Sequence, residues 1–327
     1  MGDGGSAPRF GQTAPILWIV CPSYSDVPAF TILRSRVLEL TGSDPLFADY
    51  ATRFLFVDDT AGADRQIEDV RSMEDVRVVS LPFNVGHQRA IVYGLRMVQA
   101  DLGDSDLVVT MDGDGEDRPE DLPRMVAPLL QADSDTRCLC VARRTKRSES
   151  VRFQVMYFFF KILFRFLTGV TVRSGNYAAY RGKLARSMLF HPSFDLCYSS
   201  TLVSLDVEVI PVPCARGVRY AGRSKMNLLR LFTHGVRMLL PFTDRIAVRA
   251  LSAFTAVFAT GILLSVVVVS LKVFTTAAIP GWTTTTLLGI LVLSFVALGN
   301  FIVLFAVFAQ SRGISLAGME EWSDRSA

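Results

Sequence analysis

The sequence lacks the glycine signatures of two common nucleotide-binding folds. No G-x-G-x-x-G follows its first apolar run and no G-x-x-x-x-G-K-[ST] occurs anywhere, which excludes a Rossmann dinucleotide site and a P-loop. A charge bias is missing as well: 34 basic and 31 acidic residues nearly cancel, so bulk composition gives no support for a nucleic-acid partner. Cysteine is scarce and irregular. Cys21, Cys138, Cys140, Cys197 and Cys214 are odd in number and scattered, the pattern of free thiols in a reducing compartment, and one C-x-C without a second pair makes no zinc site. Residues 1–15 are rich in Gly, Ser and Pro without an apolar h-region, so a disordered tail is expected there and not a signal peptide.

Charge is absent altogether from two long stretches. Residues 250–271, bracketed by Arg249 and Lys272, and residues 287–309, with Asn300 inside, are each long enough to cross a hydrocarbon core of about 30 Å as a helix. Two spans return both flanks to one side of the membrane. That side carries Arg237, Arg245, Arg249 and Arg312, whereas the connecting turn holds Lys272 with Pro280, Gly281 and Trp282. The positive-inside rule then places the rest of the chain and both termini in the cytoplasm, at an inner or plasma membrane. Asn300 can hydrogen-bond the other span or a neighbouring subunit, which leaves a homo-oligomer open.

Ahead of the spans, apolar runs alternate with helical patterns. Residues 16–21, 54–57, 76–81 and 108–110 read as buried strands, and helical stretches run to Leu40 and from Ala90 to about Val98. This spacing predicts a doubly wound α/β domain with a mostly parallel sheet. Polar residues fall just after the strands, so Asp26, Asp58, Asp59, Asp112 and Asp114 are expected along one rim. The densest group is Met111-Asp112-Gly113-Asp114-Gly115-Glu116-Asp117. Aspartates at i and i+2 on an extended backbone share a side, where they can bind one hard divalent cation. Asp117, Glu120 and Asp121 are expected to flank and cap the helix after Pro119.

Cations follow. Arg143-Arg144-Thr145-Lys146-Arg147 leaves a strand on the same rim, and residues 219–225 place Arg219, Arg223 and Lys225 together. Residues 151–167 are strongly aromatic with Arg152, Lys161 and Arg165, too short and charged to span; an interfacial helix and a packed internal one both fit, the first being favoured. Residues 226–240 have the spacing of an amphipathic helix on a membrane surface, with His234 as an interfacial side chain. A metal-binding acidic pair beside phosphate-binding cations suits a nucleotide diphosphate, and the anchor makes a lipid acceptor plausible.

From residue 16 through the two spans, these features resemble the inverting nucleotide-sugar transferases of the GT-A fold, family 2, and within them the polyprenyl-phosphate and dolichyl-phosphate hexosyltransferases. The marks are Pro22-Ser23-Tyr24, Val57-Asp58-Asp59, Asn84-Val85-Gly86-His87-Gln88, Asp112-Gly113-Asp114, and residues 219–225 ahead of the membrane. The resemblance implies a Rossmann-like GT-A domain over residues 16–217, a basic phosphate-binding loop and juxtamembrane helix over 218–249, a transmembrane hairpin over 250–310 and a cytoplasmic tail over 311–327. It implies that Pro22, Tyr24, Asp26, Phe56 and Asp58 line the base and ribose pocket, with Gly113 against the donor. Asp112 and Asp114 would hold Mg2+ or Mn2+ against the diphosphate, with Glu116, where the family often has Gln, as an added ligand. Arg144, Arg219 and Lys225 match positions that handle donor or acceptor phosphate, and Asp26 replaces a more usual glutamate.

The implied reaction moves a sugar from a UDP- or GDP-linked donor to a polyprenyl phosphate with inversion; another lipid or a sugar acceptor is the alternative. Sugar-acceptor members usually present a downstream acidic base beside Q-x-x-R-W, and no such element occurs between Ser174 and Gly217. A phosphate monoester with a second pKa of about 6 is already largely dianionic at neutral pH and needs no base. The D-x-D-G run also resembles the loop of haloacid-dehalogenase-type phosphatases, but Glu116 and the position on a fourth strand depart from it.

Overall fold

The computed structural model describes residues 14–144, 151–171, 174–221, 228–275 and 281–309. Seven strands form one sheet: β1 (Ile16–Ser23), β2 (Ala51–Asp58), β3 (Val76–Ser80), β4 (Leu107–Thr110), β5 (Cys138–Arg144), β6 (Ser174–Arg181) and β7 (Glu208–Cys214). Ten α-helices are described: α1 (Val27–Ser43), α2 (Ile67–Arg71), α3 (His87–Val98), α4 (Leu122–Gln131), α5 (Val151–Thr168), α6 (Gly182–Met188), α7 (Tyr198–Leu202), α8 (Leu228–Leu239), α9 (Thr243–Phe274) and α10 (Trp282–Ala309).

The strand order is β3-β2-β1-β4-β6-β5-β7. β1 pairs in parallel with β2 and β4, β2 with β3 and β5 with β7, while β6 runs antiparallel to β4 and β5. The expected doubly wound, mostly parallel sheet is thus present, with one reversed strand. Alternation along the strands builds both sides. Leu17, Ile19, Phe54, Phe56 and Val109 enter one buried cluster with Phe30 and Met125, whereas Trp18, Val20, Leu55, Val57 and Val108 enter the other with Leu95 and Tyr180. Burying such side chains contributes about 1.5–3 kcal/mol each, which makes the strands the rigid part of the domain. The order reverses at β1, between β2 and β4, and ligands of open α/β sheets bind outside the strand ends at that reversal.

The chain divides into two compact units. The first takes in residues up to Val155 and Val172–Leu240, with the whole sheet. The second takes in Met156–Thr171 and Pro241–Ser315. Within the second, α9 begins earlier than the uncharged run because residues 243–249, charges included, continue the same helix. Gly261 of α9 lets Ser294 of α10 approach, since a Cβ there would lie 2.4 Å from the hydroxyl. The C-terminal carbonyl of Phe166 accepts from Arg249 at 2.5 Å, satisfying the end of α5. Phe158, Phe159, Ile162 and Phe166 leave more than half of their surface exposed, while Phe164 is buried against Phe242. Two helical segments are long and apolar enough to cross a membrane, and only 11% of each apolar window is buried, unlike a core helix of a soluble domain.

Candidate active site

β4 delivers the acidic loop to the reversal point. The Met111 amide donates to the Val20 carbonyl at 3.1 Å, holding the chain beside β1 as it leaves the sheet. The next amide, of Asp112, donates to Asp117 Oδ2 at 3.0 Å, which folds the loop back on itself. Asp112 Oδ1 then accepts from His87 Nε2 at 2.8 Å and from Asn176 Nδ2 at 3.4 Å. Its Oδ2 has no hydrogen-bond partner among the described residues. His87 opens α3, and its place is set from β2: the Asp59 carboxylate accepts from the Val85 and Gly86 amides at 2.7 and 2.9 Å. Gln88 donates to Asn176 and accepts from the Ser199 amide at 2.8 Å, tying the start of β6 to the same network.

The other half of the loop is clamped by residues 216–220. Gly217 N–H donates to the Glu116 carbonyl at 2.9 Å and Tyr220 N–H to the Asp114 carbonyl at 2.8 Å. Gly115 sits at φ +91°, and a Cβ there would stand 2.7 Å from the Tyr220 ring, so this turn admits only glycine. The Asp114 carboxylate accepts from its neighbour's amide, Glu116 N–H, at 2.9 Å, and Arg219 Nη2 lies 2.6 Å from its Oδ2. Glu116 is held by cations: Arg216 at 2.7 Å, Arg219 at 3.0 Å and Arg144 at 3.4 Å. Arg144 also reaches Asp117 Oδ1 at 3.1 Å.

Crowding of carboxylates sets the electrostatics. Burial alone would raise the Asp112 pKa, but the His87 charge and hydrogen bond outweigh it and hold the group at about 2. An ionised carboxylate only accepts, so His87 Nε2 donates. His87 in turn is raised: burial opposes its charge, and Asp112 overcomes that. For Asp114, burial first and the Asp112 charge second lift the pKa to about 6. The same two causes lift Asp117 to about 7. Asp112 and Asp114 therefore repel each other, the condition a shared divalent cation relieves.

The expected rim residues mostly meet there. Pro22 and Asp58 sit at the paired ends of β1 and β2, where Ser23 is in register with Asp58. Asp58 is buried; its Oδ1 accepts from the Thr60 amide and hydroxyl, and Oδ2 has no partner among the described residues. Tyr24 is 48% exposed beside the half-buried Asp26. Gly113 is buried, 3.8 Å from Phe30 at its open Cβ position. Lys225 lies outside the described residues.

Several expectations need correction. Phe56 does not line an open pocket: it is 1% exposed and packs edge-on against Phe30, ring centroids 4.8 Å apart, inside the sheet's core. Glu116 is not presented as a third metal ligand, because three guanidinium groups occupy its oxygens. No three His, Cys, Asp or Glu side chains among the described residues gather into a metal cage. Asp117 pins the loop through Asp112 and Arg144 instead of capping a helix. His234 is half-buried and within electrostatic range of His87 and Arg237, not simply an interfacial side chain. Residues missed as contributors are Asn176, Arg216 and Tyr220. His87 and Gln88 stood in a recognised motif without an assigned role.

Residues 32–189 match the sequence profile of glycosyl transferase family 2. The chain carries a glycosyl transferase family 2 domain. As a glycosyltransferase it is similar to the uncharacterized glycosyltransferase YkcC of Bacillus subtilis, 26% identical with 87% of each chain covered. It is also 26% identical to the undecaprenyl-phosphate 4-deoxy-4-formamido-L-arabinose transferase of Proteus mirabilis, over 78% of this chain and 76% of the relative. Among solved structures, glucosyl-3-phosphoglycerate synthase from Mycobacterium tuberculosis with Mg2+ and UDP superimposes with a TM-score of 0.47 at 17% identity, covering 73% of this chain and 85% of that one.

Proposed function

We propose that this glycosyltransferase moves a sugar from a nucleotide diphosphate sugar to a polyprenyl phosphate, with inversion at the anomeric carbon. The observation that carries this reading is the union, at one strand reversal, of the Asp112–Asp114 pair with Arg144, Arg216 and Arg219, in a chain bearing two apolar helices of spanning length. A relative of similar length acts on undecaprenyl phosphate by its name, which supports the choice of acceptor.

The pair fits a divalent cation. Mg2+ usually takes one or two carboxylates and completes its shell with water and substrate phosphate oxygens, so an incomplete protein cage suits it. Asp112, ionised and with an Oδ2 that no described residue takes, and Asp114 would hold the ion, whose charge would offset that of the departing nucleotide. The chain's own residues do the rest. His87 and Asn176 fix the Asp112 carboxylate, the residue 216–220 clamp fixes Asp114, and the arginines bind phosphate through paired N–H groups. The acceptor phosphate, largely dianionic at neutral pH, attacks the anomeric carbon directly, and the bond to the nucleotide diphosphate breaks as the new C–O bond forms. The arginine excess on the flanks of the hairpin supports a cytoplasmic site, with the exposed aromatic residues of α5 in the lipid interface.

Membranes containing the protein are incubated with radiolabelled UDP- and GDP-sugars and polyprenyl phosphate. A mild-acid-labile labelled lipid is the expected product; label in a stable glycolipid or a glycan would replace this acceptor with another, and no transfer from any nucleotide sugar would refute the reading.

A further inference from the structure

Glu116 is surrounded in a way that a metal ligand or a solvated acid is not. Its side chain is 14% exposed. Arg216 directs Nε and Nη2 at one oxygen, 3.1 and 2.7 Å away, and Arg144 adds Nη1 to the same oxygen at 3.4 Å. Arg219 Nε takes the other oxygen at 3.0 Å. The cations come from the end of β5 and from the segment after β7, so the fold converges them on this point. Three forked donors around one small anion is the arrangement that recognises phosphate, which offers more acceptor oxygens and more charge than a carboxylate. The carboxylate belongs to the chain itself, and the glycine turn at Gly115 with the Gly217 contact to the Glu116 carbonyl holds it there.

We propose that Glu116 is a tethered stand-in for a substrate phosphate: its carboxylate fills the anion site made by Arg144, Arg216 and Arg219, and the incoming phosphate displaces it. This rests on the sugar-transfer reading above and names the group that reading leaves unexplained. The displaced phosphate site serves either the donor's diphosphate or the acceptor's phosphate, since both present the same oxygens. Occupation by Glu116 keeps the three cations apart and aimed before substrate arrives, and it raises the threshold for inorganic anions to lodge there.

The full-length protein in nanodiscs is titrated calorimetrically in chelating buffer, so that metal binding does not enter. The probes are inorganic pyrophosphate and a short-chain polyprenyl phosphate. Removing the competitor with Glu116→Gln should tighten one probe about tenfold, the worth of one net charge-assisted hydrogen bond, and the probe that responds identifies the source. Glu116→Asp, charged but too short to reach all three guanidinium groups, should tighten the same probe, and decides the matter if the glutamine variant does not fold. Arg216→Gln should weaken that probe in either background. Unchanged or weaker binding in both Glu116 variants would overturn the proposal and make the carboxylate a mere brace. If transfer from nucleotide sugars persists in wild-type protein while the variants fail to tighten, only this inference falls; if wild-type protein shows no transfer at all, the functional reading falls with it.

Discussion

Replacing Asp114 with Asn should stabilise the metal-free protein while removing its activity. The pKa of Asp114 rises from 3.8 to about 6 because the group is buried and faces Asp112. Its side chain is only 10% exposed, so solvent screens little of this. A rise of that size converts to about 3 kcal/mol, the cost of keeping the group ionised in the folded chain above pH 7. The sign follows from proton uptake: the folded state binds the proton more tightly, so stability falls as pH rises from about 4 through about 6 and stays low beyond. Asp114→Asn keeps the shape and can still accept from the Glu116 amide, but carries no charge. In chelating buffer at pH 8 the variant should gain up to about 3 kcal/mol, a figure already net of the Arg219 attraction, and the gap should shrink to roughly half near pH 5. Unfolding followed by tryptophan fluorescence reports this, since Trp18 is buried in the sheet. Adding Mn2+ should then stabilise wild-type protein by mass action and leave the variant unmoved. A variant less stable than wild type at pH 8, or a gap that does not narrow with acid, would refute the argument that the two carboxylates repel.

Three further outcomes follow from the same geometry. His87→Ala removes the charge that holds Asp112 low, so kcat/KM should drop about 10- to 100-fold, as for other residues that orient a metal ligand, and the acid limb of the pH–rate profile should move upward. Phe56→Ala should cost about 3–5 kcal/mol of stability as a core deletion; a donor-affinity loss without destabilisation would restore it to the pocket. Gly115→Ala, strained at φ +91° and in collision with Tyr220, should cost about 1–3 kcal/mol and abolish transfer, measured by melting temperature and by labelled-lipid yield. For topology, all five native cysteines are buried, so a cysteine introduced by Ala278→Cys between α9 and α10 should be the site labelled by an impermeant maleimide on intact cells; labelling only after permeabilisation would reverse the orientation.

Much of the fold was legible because continuous apolar runs closed by polar residues mark buried parallel strands. β1 to β4 came from that pattern alone. β6 did not, since Ser174-Gly175-Asn176 is polar and reversal of a strand leaves no local trace; it needs the pairing with β4 and β5 to be seen. The Asp112–Asp114 pair stood out by its spacing, although residues 113 and 114 lie in a turn and not on the extended backbone expected. Phe56 was misplaced because it shares a face with Asp58, yet two residues back along β2 the same face lies under α1. Glu116 could not be read locally at all: its partners are 28, 100 and 103 residues away, and only the folded chain brings them to one carboxylate.

The reversed strand has one more consequence. Because β5 ends and β6 begins at the same edge, with Arg143 in register with Ser174, everything between them is topologically the loop of one enlarged hairpin. That loop carries α5, and the chain passes through it from the first compact unit to the second and back. Its two ends are fixed by sheet pairing, so its contents can be exchanged or lengthened without shifting the register of any strand. The connection is thus a cassette, whose helix can change in length or composition while the acidic loop on β4 stays where it is.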